Sequence, residues 1–173
     1  MRKTGLIALA LGLALTLSGC LIVLVPPEVY DLTYRSSWLR TSDKKPVICD
    51  NQDTTVEYSF KYTNLQNISS WTETWTGSAS SQFNFTENRY PNSPEVTGVT
   101  VDTASKTITV TRTFSRGTSP FSVTPQSITI TPINPPPTSQ TGEARLDLKF
   151  NLTDGNTILL PRITLPVYSG CQI

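Results

Sequence analysis

The chain has 173 residues, with 14 Lys and Arg against 13 Asp and Glu and no histidine. So even a balance, with no run of like charges, excludes the basic footprint that a nucleic-acid partner demands. The missing imidazole excludes Ser-His-Asp and Cys-His catalytic sets and most catalytic zinc sites.

In chain order the first element is a targeting segment. Arg2 and Lys3 precede the apolar run from Gly5 to Leu15, then Thr16-Leu17-Ser18-Gly19-Cys20. This is a secretory signal layout. Leu17-Ser18-Gly19-Cys20 resembles the lipobox of bacterial lipoproteins. That resemblance implies a signal peptide over residues 1–19, cleavage before Cys20, a thioether-linked diacylglycerol (with further acylation, a palmitate-type anchor) on Cys20, and a mature protein of residues 20–173. Several acyl chains on one residue make anchoring durable, since each buried CH2 contributes about 0.8 kcal/mol. A rival reading is an uncleaved transmembrane anchor, because apolar character runs on to Val25 and 21 residues of helix reach about 31 Å. Leu21 to Val25 reads equally as a β-strand ended by Pro26-Pro27. No polar tether follows Cys20, so the folded domain is expected close to the membrane. Leu21, where inner-membrane lipoproteins often carry Asp, favours an outer-membrane address in a host that has one.

Committing Cys20 to lipid leaves Cys49 and Cys171, an even number in an oxidising compartment, and a disulfide between them follows. Its loop of roughly 120 residues corresponds to an entropic stabilisation of at most about 4–5 kcal/mol. Redox or metal roles for this pair lack Cys-x-x-Cys spacing and a histidine co-ligand. With the signal removed, 12 Lys and Arg face 13 Asp and Glu.

The mature chain alternates with period two and shows no helical periodicity. Strands are expected over Val29–Ser36, Pro46–Cys49, Thr54–Thr63, Ser69–Thr76, Gly98–Asp102, Lys106–Phe114, Ser127–Thr131, Ala144–Leu152 and Thr157–Val167, the last broken or bulged at Pro161 and Pro166. In Thr54–Thr63 the inward set is Val56, Tyr58, Phe60 and Tyr62. In Lys106–Phe114 it is Ile108, Val110 and Phe114, opposite a threonine ladder. Turns are expected at Asp50–Asp53, Glu87–Pro94, Thr103–Ser105, Arg116–Pro125 and Asp154–Asn156. Two hairpins follow: Val99–Asp102 with Lys106–Thr109, and Leu146–Phe150 with Ile158–Leu160. Ile133–Gly142, with three prolines, reads as a long connection within one domain, because the residues after it are too few for a second core. The expected fold is all-β, a single antiparallel immunoglobulin-like β-sandwich, with a closed barrel as the alternative.

Chemistry is sparse along these strands. No phosphate loop or nucleophile elbow appears, the carboxylates are scattered, and Asp50, Asp53 and Asp154 lack EF-hand spacing. The expectation is a non-catalytic protein with no metal and no cofactor beyond the lipid on Cys20. Trp71, Glu73 and Trp75 share one face of their strand. Exposed, they form a sugar-stacking platform with Glu73 accepting hydroxyl hydrogen bonds; buried, they are core. Trp38 reads as structural, and Phe83, Phe85 and Phe121 stand in or near loops that either contact partners or cap the core. The leading function is a lipid-anchored envelope protein with structural, assembly or protein-interaction work, and the alternative is a carbohydrate-binding module. Partners are accordingly the membrane and either another envelope protein or a glycan.

Overall fold

The computed structural model describes residues 28–78, 83–91, 93, 98–115, 121–122 and 128–171. The signal segment and Cys20 lie outside the described residues. Among the described residues no helix is long and apolar enough to cross a membrane.

Thirteen strands run along the described chain: β1 Val29–Ser36, β2 Trp38–Arg40, β3 Lys45–Cys49, β4 Thr54–Tyr62, β5 Ile68–Gly77, β6 Phe85–Arg89, β7 Val99–Asp102, β8 Thr107–Phe114, β9 Phe121–Ser122, β10 Thr131–Ile133, β11 Gln140–Leu152, β12 Thr157–Leu159 and β13 Ile163–Tyr168. They form two sheets that do not close into a barrel, giving the all-β sandwich expected from the alternation. The smaller sheet has the order β1-β4-β8-β7, with β9 beside β8. The larger has the order β10-β2-β3-β13-β11-β5-β6, with β12 beside β11. Pairing is antiparallel except at β2 with β10 and β3 with β13, which run parallel.

Side-chain period explains the layering. In β4, Val56, Tyr58, Phe60 and Tyr62 are buried and alternate with half-buried residues, as a strand with one dry face requires. From the other sheet Ile68, Trp71, Leu146, Leu148, Phe150 and Leu165 complete the same core. Rings interlock there edge to face, Phe60 with Phe150 at 4.8 Å and Phe60 with Trp71 at 5.6 Å between centroids. Trp38, Val47, Cys49, Ile133, Tyr168 and Cys171 form a second, smaller cluster.

The first change of sheet takes a single residue, Ser37. Ser36 ends β1 in the smaller sheet and Trp38 opens β2 in the larger one; Ser36 Oγ donates to Val47 O at 2.6 Å, and Ser37 N to Thr55 O at 2.8 Å. Earlier in β1, the register with β4 shifts between Tyr30 and Thr33. Asp31 sits there with φ 57°, a bulge conformation for which Asp is better suited than most residues, and its carboxylate meets Lys61 Nζ at 2.7 Å.

Several boundaries differ from the sequence reading. Glu87–Pro94 is not all turn: Phe85–Arg89 is β6, antiparallel to β5. Ser127–Thr131 does not form the expected strand, since residues 128–130 are irregular and β10 begins only at Thr131. Its Ile130 is 44% exposed, so this apolar side chain has no sheet face to cover. Pro166 does not break β13; it lies within it, opposite Glu143. Both expected hairpins form, with Asp102 opposite Thr107 and Phe150 opposite Ile158. Gly155 closes the second at φ 87°, a conformation that side chains resist. The 133–142 segment ends β10, makes one 3-10 turn at Pro137–Ser139 and enters β11, with Ile133 in the smaller cluster.

Candidate functional site

Trp71, Glu73 and Trp75 share one face of β5, as the alternation requires, and that face points inward. All three are buried, with 0%, 0% and 1% of their surface exposed. The expected alternative of an open sugar platform is therefore corrected. Thr72 and Thr74 take the solvent side instead, bonded to Asn88 and Thr86 of β6. Burial is favoured because two indoles on one face bring more apolar area to the core than three threonines on the other.

Glu73 is left as a carboxylate in the interior, and its surroundings are built to hold it. Trp75 Nε1 donates to Oε1 at 2.6 Å and Arg112 Nε to the same oxygen at 2.9 Å. Arg89 Nε donates to Oε2 at 2.9 Å and Arg112 Nη2 at 2.8 Å. Arg89 and Arg112 are themselves buried, at 0% and 2% exposure. Arg112 comes from β8 in the smaller sheet, so the pair joins the two layers across the core. Its guanidinium also lies 5.0 Å over the Phe85 ring and donates to Glu87, whose side chain is 41% exposed. Glu87 stands opposite Glu73 on the neighbouring strand, a like-charge pairing that Arg112 and Arg89 offset.

Burial alone would push the Glu73 carboxyl up; the Arg112 hydrogen bonds and charge, then Arg89 and the Trp75 donor, outweigh it and hold the group below its ordinary value. Burial likewise works against the Arg112 charge, yet Glu73 and then Glu87 leave its pKa raised. The Tyr58 hydroxyl, wholly buried, is pushed well above its ordinary value by burial first and by Glu73 second. Two carboxylates and two guanidiniums thus form a neutral quartet. With four donors on its two oxygens, Glu73 has no vacancy for a substrate hydroxyl, and its depressed pKa suits neither a general acid nor a base near neutral pH.

The cysteine pair forms as expected: Cys49 and Cys171 are bonded with their Cα atoms 5.9 Å apart. Both are buried in the smaller cluster. Asn51 ties the same end of the chain, donating from Nδ2 to Cys171 O at 3.3 Å and accepting from Cys171 N at 3.1 Å. Trp38 is structural, 7% exposed with Nε1 donating to Asp53 O at 3.0 Å. Phe83 caps the core beside Phe114, and its Cβ and ring carbons leave no room for a side chain at Gly77.

On the surface, a cleft of about 390 Å³ is lined by Tyr34, Arg40, Lys45, Gln140 and Glu143, and a second of about 230 Å³ shares Arg40 and Gln140. Arg40 is already engaged there. Its Nε donates to Asp43 Oδ1 at 2.8 Å, Nη1 donates to the Tyr168 hydroxyl, and the guanidinium lies 5.5 Å over that ring. The Arg40 hydrogen bond holds Asp43 down at about 2. Among the described residues no group of three or more His, Cys, Asp or Glu could hold a metal ion. The turns at 50–53 and 154–156 bond internally or to neighbours, Asp154 to Asn156 and Asp50 to Thr141.

Sequence reading missed Arg89, Arg112 and Glu87. The signal was there in part: Arg112 continues the inward series Ile108, Val110, Phe114, and Phe85, Glu87 and Arg89 alternate in the same way.

No protein-family model matches the chain, and no curated protein matches it. Among solved structures, a DUF4466 family protein from Parabacteroides merdae ATCC 43184 is similar over 79% of this chain, at 9% identity and a TM-score of 0.25. The chain spans 45% of that protein's length.

Proposed function

We propose that this is a non-catalytic, lipid-anchored protein of the bacterial cell envelope, with a structural, assembly or protein-interaction role. The observation that carries this reading is the cysteine arithmetic. Cys49 and Cys171 bond to each other, which fits an oxidising compartment and leaves Cys20 as the odd thiol, inside Leu17-Ser18-Gly19-Cys20. Lipid on that cysteine accounts for all three. The neutral quartet supports a structural role, since Glu73, Arg89 and Arg112 are buried in the joint between the sheets and only Glu87 reaches solvent. A glycan-binding role through Trp71, Glu73 and Trp75 has no support from their burial.

The partner is accordingly the membrane, together with another envelope component reached through exposed loops and sheet edges. Leu21 after the lipidated cysteine favours the outer membrane of a diderm host. Mass spectrometry of the membrane fraction tests the anchor. The expected N-terminal peptide begins at Cys20 and carries diacylglycerol and an acyl chain, and Cys20→Ser releases the protein from the membrane. An unmodified Cys20 within an uncleaved chain overturns the reading.

A further inference from the structure

The sandwich has two ends, and the chain enters at one of them. Thr63 N donates to Glu28 O at 3.0 Å, Tyr62 N to Lys106 O at 3.0 Å and Thr153 N to Asn67 O at 3.0 Å, which gathers three turns around the entry of β1. The disulfide lies at the other end. β11 runs the full height: its Leu152 pairs with Ile68 at the entry end, while its Gln140 pairs with Tyr168, which itself pairs with Cys49. Thirteen residues of strand make that height roughly 40 Å, at about 3.3 Å per residue.

Resting on the lipid anchor at Cys20 proposed above, we infer that the sandwich stands on the membrane on its β1-entry end, with the turns around Asn64, Ala104 and Asp154 in the headgroup layer and the disulfide end turned away. Eight chain steps separate Cys20 from Glu28, a reach of at most about 29 Å even when fully extended. That is shorter than the sandwich is tall. Leu21 to Val25 shorten it further, because five apolar residues beside acyl chains gain by staying in the interface.

The exposed side chains at this end fit the same partner. Of the four large hydrophobic residues exposed among the described residues, Tyr90 at 55% and Leu159 at 73% lie in its third of the molecule. Tyr90 follows Arg89, which pairs with Trp71 near the start of β5; Leu159 pairs with Lys149 near the end of β11. A tyrosine at headgroup depth is favourably placed, with its ring in the apolar boundary and its hydroxyl in water. Glu28, Asp31, Asp102 and Asp154 face Lys61, Lys106 and Lys149 in this third, a near balance without a basic excess, so it suits zwitterionic headgroups and does not call for anionic lipid.

A fluorescent label on Ala104→Cys or Thr138→Cys in the full-length lipidated protein, reconstituted in phosphatidylcholine vesicles carrying a headgroup nitroxide, tests the orientation. Both positions are exposed, one at each end. Quenching at Ala104 is expected to exceed that at Thr138 at least about twofold, given the ~40 Å of strand between the ends. Equal quenching at both sites, or none at Ala104 in protein whose Cys20 lipid is verified by mass, overturns the orientation and leaves the anchor standing. Protein with unmodified Cys20 and no quenching at either site overturns the anchor, and the orientation with it.

Discussion

Two regions fasten this sandwich, and they do so by different physics. At one end the Cys49–Cys171 bond joins β3 to the residues just after β13 in the small cluster around Trp38 and Tyr168. Within the main core the Glu73 quartet joins β5 and β6 of one sheet to β8 of the other. A cross-link stabilises mostly by restricting the unfolded chain, and neither pH nor salt changes it. The ionic joint acts within the folded state and depends on every member, because a buried charge without its partner is far costlier than the pair is beneficial. Redox chemistry therefore addresses one fastening and proton chemistry the other.

The largest separation between the two comes from Glu73→Ala, which strands Arg89 and Arg112 in the core. A loss of about 3–5 kcal/mol is expected in denaturant unfolding. Replacing the group together, Glu73→Leu with Arg89→Met and Arg112→Met, is expected to recover most of that loss. If the triple variant is no more stable than Glu73→Ala, the cost lies in packing rather than in orphaned charge.

Next comes Cys49→Ser with Cys171→Ser, expected to cost about 2–5 kcal/mol under oxidising conditions. The double variant should match the reduced wild-type protein, whereas Glu73→Ala should lose further stability when reduced. Acid discriminates in the opposite sense. The folded-state pKa of Glu73 lies below its ordinary value near 4.5, so its ionised form contributes stability above that pH, which is lost as pH falls through the folded value. Unfolding midpoints measured downward from pH 5 should fall in the wild type with the disulfide intact, and fall less in the triple variant. The smallest effect is expected for Arg162→Ala. Its partner Asp147 is 2.7 Å away, but both side chains are solvated, and the denaturation midpoint should not move measurably.

The strands that alternate cleanly were legible from the residues alone. Val29–Ser36 has the same bounds in the structure, and Thr54–Thr63 runs one residue beyond β4. So was the cysteine pairing, once Cys20 is set aside on its resemblance to a lipobox cysteine. The polar half of the core was not. Burial of an acid depends on cations brought from 16 and 39 residues away, so Glu73 on its own strand looked like a group for solvent or ligand. Phe85–Arg89 was concealed for the same reason, since two charges and an asparagine in five residues read as a turn until Glu73 and Arg112 supply their partners. β2 and β10, three residues each, are too short to show any period. Ile128 and Ile130 misled in the other direction: β-branched residues fit a strand, but only a neighbouring strand makes them one.

The wiring of the larger sheet also sets a timetable. β2 finds its outer neighbour only in β10, β3 pairs with β13, and Cys49 must wait 122 residues for Cys171. A chain delivered from its N-terminus therefore holds two early strands, β2 and β3, without these later neighbours until β10 and then β13 arrive. Such long-range closure folds slowly, and meanwhile Cys49 is a thiol with no correct partner in reach. Arrival of β13 and Cys171, rather than the start of synthesis, is the event that commits this protein to its fold.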